Sequence, residues 1–279
     1  MTARQFAALL KTTVFEWIEH KAFVLAAALA YYALFSIAPL LLIAISIAGL
    51  VFGPAAARAG VLEQVEGLVG QQGAQGVEQM LAAIHNPETN RLAGLIGIVV
   101  LLFGASGVFA QLKESLNTIW EATPPRRGWV LSLILDRFLS FAMVLAIGFL
   151  LLVSLILSAV LSGVEAYLSG LVAGSEALWQ ALNVVVSFGI VTVLFAMIFK
   201  YIPDTKIRWR DVWIGAIFSS MLFSVGKLLI GIYLGRSAIA SAYGAAGSLV
   251  IVLVWVYYSS LLLLLGAEFT HVQAARWRR

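Results

Sequence analysis

Lys227 is the residue of this sequence with the most chemistry to offer. It is the one charge inside an apolar run, residues 212–235. An ammonium group among hydrocarbon either snorkels to the interface or meets an anion in a wet cavity. Counted from Asp211, it stands about 24 Å along a helix, toward one edge of a bilayer core rather than its centre. Hydroxyl groups come next: Tyr31, Tyr32 and Ser36 in one apolar run, and Tyr243 before another. Polar groups at membrane depth need partners, and a substrate can be one of them. These five are the candidate substrate-binding residues, with a phosphate or carboxylate as the group Lys227 would hold. Glu268 closes the last apolar run near its boundary, where Lys21 or Arg137 could pair with it as an interfacial ion pair.

Other chemistries are missing from the pattern. His20, His85 and His271 are scattered, with His85 on the opposite membrane face, so no metal site is expected. HExxH, GxSxG and the phosphate-cradling GxxxxGK[ST] are all absent. No intramembrane pair of carboxylates offers an acid and a base, and none lies at the bilayer centre to relay protons. The net charge of +4 is spread over short segments and is not a nucleic-acid footprint. With no cysteine there is neither a disulfide framework nor a thiolate. The expectation is therefore a protein that is not an enzyme, holds no cofactor, and has membrane lipids rather than nucleic acid as partners.

Long apolar elements must position these groups. Apolar residues make up 62% of the 279-residue chain and charged residues 11%, with mean hydropathy +0.98. A soluble domain is about 45–50% apolar and about 25% charged. Residues 22–52 carry no charge and no histidine. As a helix they would be about 46 Å long, against a bilayer core of about 30 Å. The excess calls for tilt, a kink at Pro39, or a run along the interface. Further spans are expected over residues 92–112, 138–164, 177–199, 212–235 and 248–270. Residues 2–21 read as an amphipathic helix in the interface plane, with Phe6, Leu9, Leu10, Val14, Trp17 and Ile18 recurring at the helical period. The fold class is thus an all-α polytopic bundle of six spans forming one membrane domain, 1–279. Fourteen of the eighteen lysines and arginines fall on the side of the two termini and three on the other, which places both termini in the cytoplasm. Residues 53–91, on the far side, hold two amphipathic stripes separated by GQQGAQG.

Glycines punctuate the end of the chain. Gly231-x-x-x-Gly235 would let another backbone approach closely. Gly244 and Gly247 would break the helix before the last span. With Pro39 they are the candidate hinge and gating positions.

Four blocks of this sequence resemble one family. They are AAALAYYALFSIAPLLL from Ala26, Leu116-Asn117-Thr118-Ile119-Trp120, Tyr201-Ile202-Pro203-Asp204, and YGAAGSLVIVLVWVYYSSLLLLLGAEF from Tyr243. In this order they resemble the YihY / BrkB family, once labelled ribonuclease BN. The resemblance implies a bacterial inner-membrane protein with six helices and no catalytic residues to carry over. One member of that family looks like an exporter of a lipid A precursor. The expected function is transport, flipping or export of a lipid, lipid-linked or other amphipathic anionic substrate by alternating access. A non-transporting scaffold for envelope assembly is the alternative.

Overall fold

The computed structural model describes residues 3–84, 107–123, 176–236 and 247–276. Every described element is helical: α1 (Ala3–Glu19), α2 (Ala22–Phe52), α3 (Pro54–Ile84), α4 (107–119), α5 (Glu176–Tyr201), α6 (Trp209–Arg236) and α7 (Gly247–Arg276). Three stretches are long and apolar enough to cross a bilayer: Val184–Tyr201, Trp209–Ile230 and Gly247–Arg276. The pair Arg4–Glu19 and Ala22–Ile37, bent by 63°, is long and apolar enough only when its two helices are counted together. Of the expected spans, 138–164 and most of 92–112 lie outside the described residues.

The centre of the assembly is α7, which packs against α1, α2, α3 and α6. Its first carboxylate is Glu268, so one face after another can be buried without desolvating a charge. The main core is built by Ala22, Ala26 and Leu29 of α2, Leu116 and Ile119 of α4, Phe195 and Phe199 of α5, Val212 and Ala216 of α6, and Leu264 and Ala267 of α7.

Small residues bring α6 and α7 together. Gly215 faces Thr270, and Gly266 faces Ser219. Each hydroxyl also bonds back along its own helix: Ser219 Oγ donates to Gly215 O at 2.8 Å, and Thr270 Oγ1 to Gly266 O at 2.7 Å. The seam is therefore reciprocal, with hydroxyls that satisfy themselves locally.

The α1–α2 bend is made by Lys21, which is in the left-handed conformation (φ 54, ψ 41). Its N–H closes α1 on Ile18 O at 3.0 Å, and its carbonyl opens α2 by accepting from Val24 N at 2.9 Å. One face of α1 then packs on α7 through Leu9, Phe269 and Val272. Phe6, Val14, Phe15 and Ile18 of α1 remain exposed.

The helix α3 turns back on itself. Gly70 is its one non-helical residue (φ 77, ψ 171), in a region of backbone space open almost only to glycine. Arg58 Nη2 and Glu78 Oε1 lie 3.4 Å apart, whereas twenty residues of straight helix would hold them about 30 Å apart. The two halves thus form a hairpin. Its apolar stripes, with Leu62, Val65, Val77, Met80 and Leu81, pack on Ile37, Leu41 and Ile45 of α2 and Val252 and Val256 of α7. Its charged residues Arg58, Glu63, Glu66 and Glu78 are exposed. The excess length of α2, continuous through Pro39, is thereby covered by this hairpin.

Candidate functional site

A polar cluster forms where the α1–α2 turn, the end of α4 and the last third of α7 meet. Glu268 is its deepest member, fully buried about 12 Å from the end of α7 at 1.5 Å per residue. His20 Nδ1 is 2.9 Å from Glu268 Oε2. The other ring nitrogen, Nε2, is 3.8 Å from Glu121 Oε1. Glu268 Oε1 and the indole N–H groups of Trp17 and Trp120 are buried and have no hydrogen-bond partner among the described residues. The Trp120 ring meets His271 edge-on, with centroids 5.2 Å apart.

Backbone strain is concentrated at the same place. Among the described residues, only Lys21 and Glu121 have positive φ without being glycine, at 54° and 47°. Each directly follows a member of the cluster. Glu121 closes α4 as a Schellman motif: its N–H donates to Thr118 O at 3.2 Å, and Ala122 N donates to Asn117 O at 2.9 Å. Left-handed backbone costs an ordinary residue about 1–2 kcal/mol, and such strain gathers at functional sites. The Glu16 carboxyl belongs to this neighbourhood. Burial pushes it above its ordinary value; His20 draws it down, and Glu121 and Glu19 push it up.

A second network braces the same end. Asp204 Oδ2 accepts from Asn117 Nδ2 at 2.9 Å and pairs with Lys113 Nζ at 3.0 Å. Asp204 N donates to Asn117 Oδ1 at 2.8 Å. Lys200 Nζ donates to Ile207 O at 2.5 Å and lies over the Trp209 ring. The α5–α6 turn is thus clamped to α4.

The residues singled out from sequence are dispersed. Lys227 is exposed on α6. Tyr31 and Tyr32 are exposed on α2, their rings 5.7 Å apart, and the Tyr32 ring lies against Gly107 of α4. Ser36 is buried and donates to Tyr32 O at 2.8 Å. Pro39 lies inside α2, while Gly231 and Gly235 lie inside the last two turns of α6. Gly247 opens α7 and is buried. Tyr243, Gly244, Arg137 and His85 lie outside the described residues. Among the described residues the partner of Glu268 is His20 rather than Lys21; the other expected partner, Arg137, lies outside them. The left-handed turn leaves Lys21 exposed and brings the residue before it against α7. His20 and Glu121 carry no motif in the sequence. The signal that could have found them is the burial of an acid in an apolar helix, which demands a partner.

The chain resembles proteins already described. A UPF0761 membrane protein of Verminephrobacter eiseniae is 32% identical over 180 residues, 63% of this chain and 41% of that protein. One from Azotobacter vinelandii is 29% identical over 264 residues, 91% of this chain and 60% of that protein. A Bacillus subtilis protein named ribonuclease-like protein YfkH is 27% identical over 249 residues, 87% of this chain and 86% of its own length. The chain thus spans about four-tenths to six-tenths of the two UPF0761 relatives. No solved structure matches it. The blocks 116–120 and 201–204 meet in the Asn117–Asp204 clamp, and the last block supplies Glu268. Residues 13–279 match the family model described as virulence factor BrkB, and the chain is a membrane protein of that family.

Proposed function

We propose that the protein is a transporter of the bacterial inner membrane that moves a lipid, a lipid-linked molecule or another amphipathic anion by alternating access. In this reading six helices span the bilayer, α1 lies in the interface on its exposed apolar face, and both termini are cytoplasmic. The protein is not an enzyme, and the ribonuclease-like name of one relative is not carried over.

The observation that carries the reading is the exposure of Tyr31 and Tyr32, 58% and 41%. They lie nine and ten residues into α2, about 14–15 Å along it, near the middle of a bilayer core of about 30 Å. Two phenol hydroxyls turned to lipid at that depth would be costly to desolvate, so they suit a groove that admits polar headgroups. Lys227, about 27 Å along α6, stands toward the outer edge, where it would meet the anionic group.

The test is movement of a fluorescent anionic lipid across liposomes holding the purified protein. Protein-dependent movement slowed by the Tyr31→Ala, Tyr32→Ala double variant supports the reading. Lys227→Ala should spare insertion and slow movement. Movement untouched by these variants removes the groove, and no movement under an imposed ion gradient favours a scaffold for envelope assembly.

A further inference from the structure

The polar cluster at the α1–α2 turn has the build of a conduit rather than of a static ion pair. Exposure falls in order along it: 72% for the Glu121 side chain, 18% for His20 and 0% for Glu268. The imidazole stands between two carboxylates, one nitrogen toward each. On the inner side the contact is a hydrogen bond of 2.9 Å. On the outer side the 3.8 Å separation is one that a small rotation of the exposed Glu121 side chain, or a bridging water, closes. We infer that Glu121, His20 and Glu268 form a proton relay, which loads a proton from the water at this end of the bundle onto a carboxylate inside it.

The transfer balances without any other reactant. His20 Nε2 takes a proton from Glu121 or from a water beside it. The imidazolium then gives its Nδ1 proton to Glu268 Oε2, leaving neutral imidazole with its hydrogen on Nε2. The new carboxyl O–H donates back to Nδ1. Two further features fit a bound proton. Glu268 Oε1 is buried with no donor among the described residues, a state that suits a neutral carboxyl group far better than an anion. The Glu268 side chain is also fully buried, which costs an anion its hydration. Among the described residues, Glu16 on α1 and Glu121 after α4 add negative charge near it, and His20 offsets them. The 31 residues of α2 bring no charged side chain. On α6, Gly215 and Ser219 face this stretch of α7, and the α6 carboxylate Asp211 lies one turn beyond them. On α7 itself, His271 is turned to Trp120.

The use of that proton in driving movement rests on the transporter reading; its binding does not. Infrared difference spectra of the full chain in liposomes, between about pH 5 and about pH 8, read the carboxyl group directly with no substrate present. The expected result is a protonated-carboxyl C=O band that disappears in Glu268→Gln and moves in Glu268→Asp, the second variant guarding against loss of fold in the first. His20→Gln should keep the band and slow its hydrogen–deuterium exchange by on the order of a hundredfold, the scale of a positioned acid–base group. Glu121→Gln should slow the exchange less. Absence of the band, a band that survives Glu268→Gln unchanged, or exchange untouched by His20→Gln overturns the relay. Any of these results leaves lipid movement standing. Failure of lipid movement in turn leaves the band standing.

Discussion

Replacing Gly215 by alanine tests the α6–α7 seam at its tightest point. A Cβ there would lie 2.8 Å from both Cβ and Cγ2 of Thr270 and overlap its hydroxyl. Carbon pairs rest at about 3.5–4.0 Å, so the helices must part by roughly 0.7–1.2 Å. Rotation of Thr270 does not help, because its Cβ is fixed to the backbone. The bond from Oγ1 to Gly266 O also holds the rotamer. Overpacking of this kind costs about 1–3 kcal/mol. The compensating change is Thr270→Gly, which removes all three clashing atoms and leaves one helix glycine costing about 1 kcal/mol. Thermal unfolding of the detergent-solubilised protein should show Gly215→Ala well below the parent and the Gly215→Ala, Thr270→Gly double variant above the single. Gly266→Ala with Ser219→Gly should repeat the pattern, since a Cβ at Gly266 would lie 2.8 Å from Ser219 Cβ. Gly189 of α5 is the control: a Cβ there meets nothing within 4 Å among the described residues, and alanine should stabilise by about 0.8–1 kcal/mol. A Gly215→Ala protein as stable as the parent, or a double variant no better than the single, refutes the close-approach argument.

Three further outcomes follow from the polar end of the bundle. The Glu16 carboxyl is raised from its ordinary 4.5, chiefly by burial, so the stability it permits is full below that value and lost as pH climbs through the raised one. Glu16→Gln should therefore melt higher than the parent near neutral pH, and the two should coincide at about pH 4. Lys21→Gly and Glu121→Gly relieve left-handed backbone and should each stabilise by about 1 kcal/mol in denaturant melts; destabilisation by either would show that the side chain matters more than the turn. Asp204→Ala removes the carboxylate bonds to Asn117 Nδ2 and Lys113, keeps the backbone N–H bond to Asn117, and should cost about 1–3 kcal/mol, with amide exchange rising in the α5–α6 turn; unchanged exchange there would mean that the carboxylate is not what orders the turn.

The helical elements were legible because their signals are local. The uncharged run after Lys21 is too long and too apolar for any other solution, and α2 occupies it from Ala22 to Phe52. The stripes either side of GQQGAQG pointed to two amphipathic pieces, and Gly70 separates them. What the sequence could not convey was which surfaces meet. His20 and Glu268 are 248 residues apart, and one left-handed residue decides whether His20 or Lys21 faces inward. Glycine spacing drew attention to Gly231 and Gly235. The tight seam seen among the described residues lies at Gly215 and Gly266, because each is opposite a hydroxyl residue on the other helix, a relation no single segment displays. The excess length of α2 was visible as a mismatch with the bilayer. Its solution was not, since it depends on a hairpin whose docking surface comes partly from α7.

That dependence has a temporal side. The hairpin α3 leaves the ribosome about 160 residues before α7, the helix that supplies Val252, Val256 and the Ser248 contact to Gly76. At about 5–20 residues per second, its apolar stripes wait roughly 8–30 s for the surface that α7 supplies, held meanwhile by α2 and then also by α6. During that interval the hairpin is the natural target of proteases and holding chaperones. Docking onto α7 then withdraws the target, so the cover of the hairpin depends on synthesis having run as far as α7.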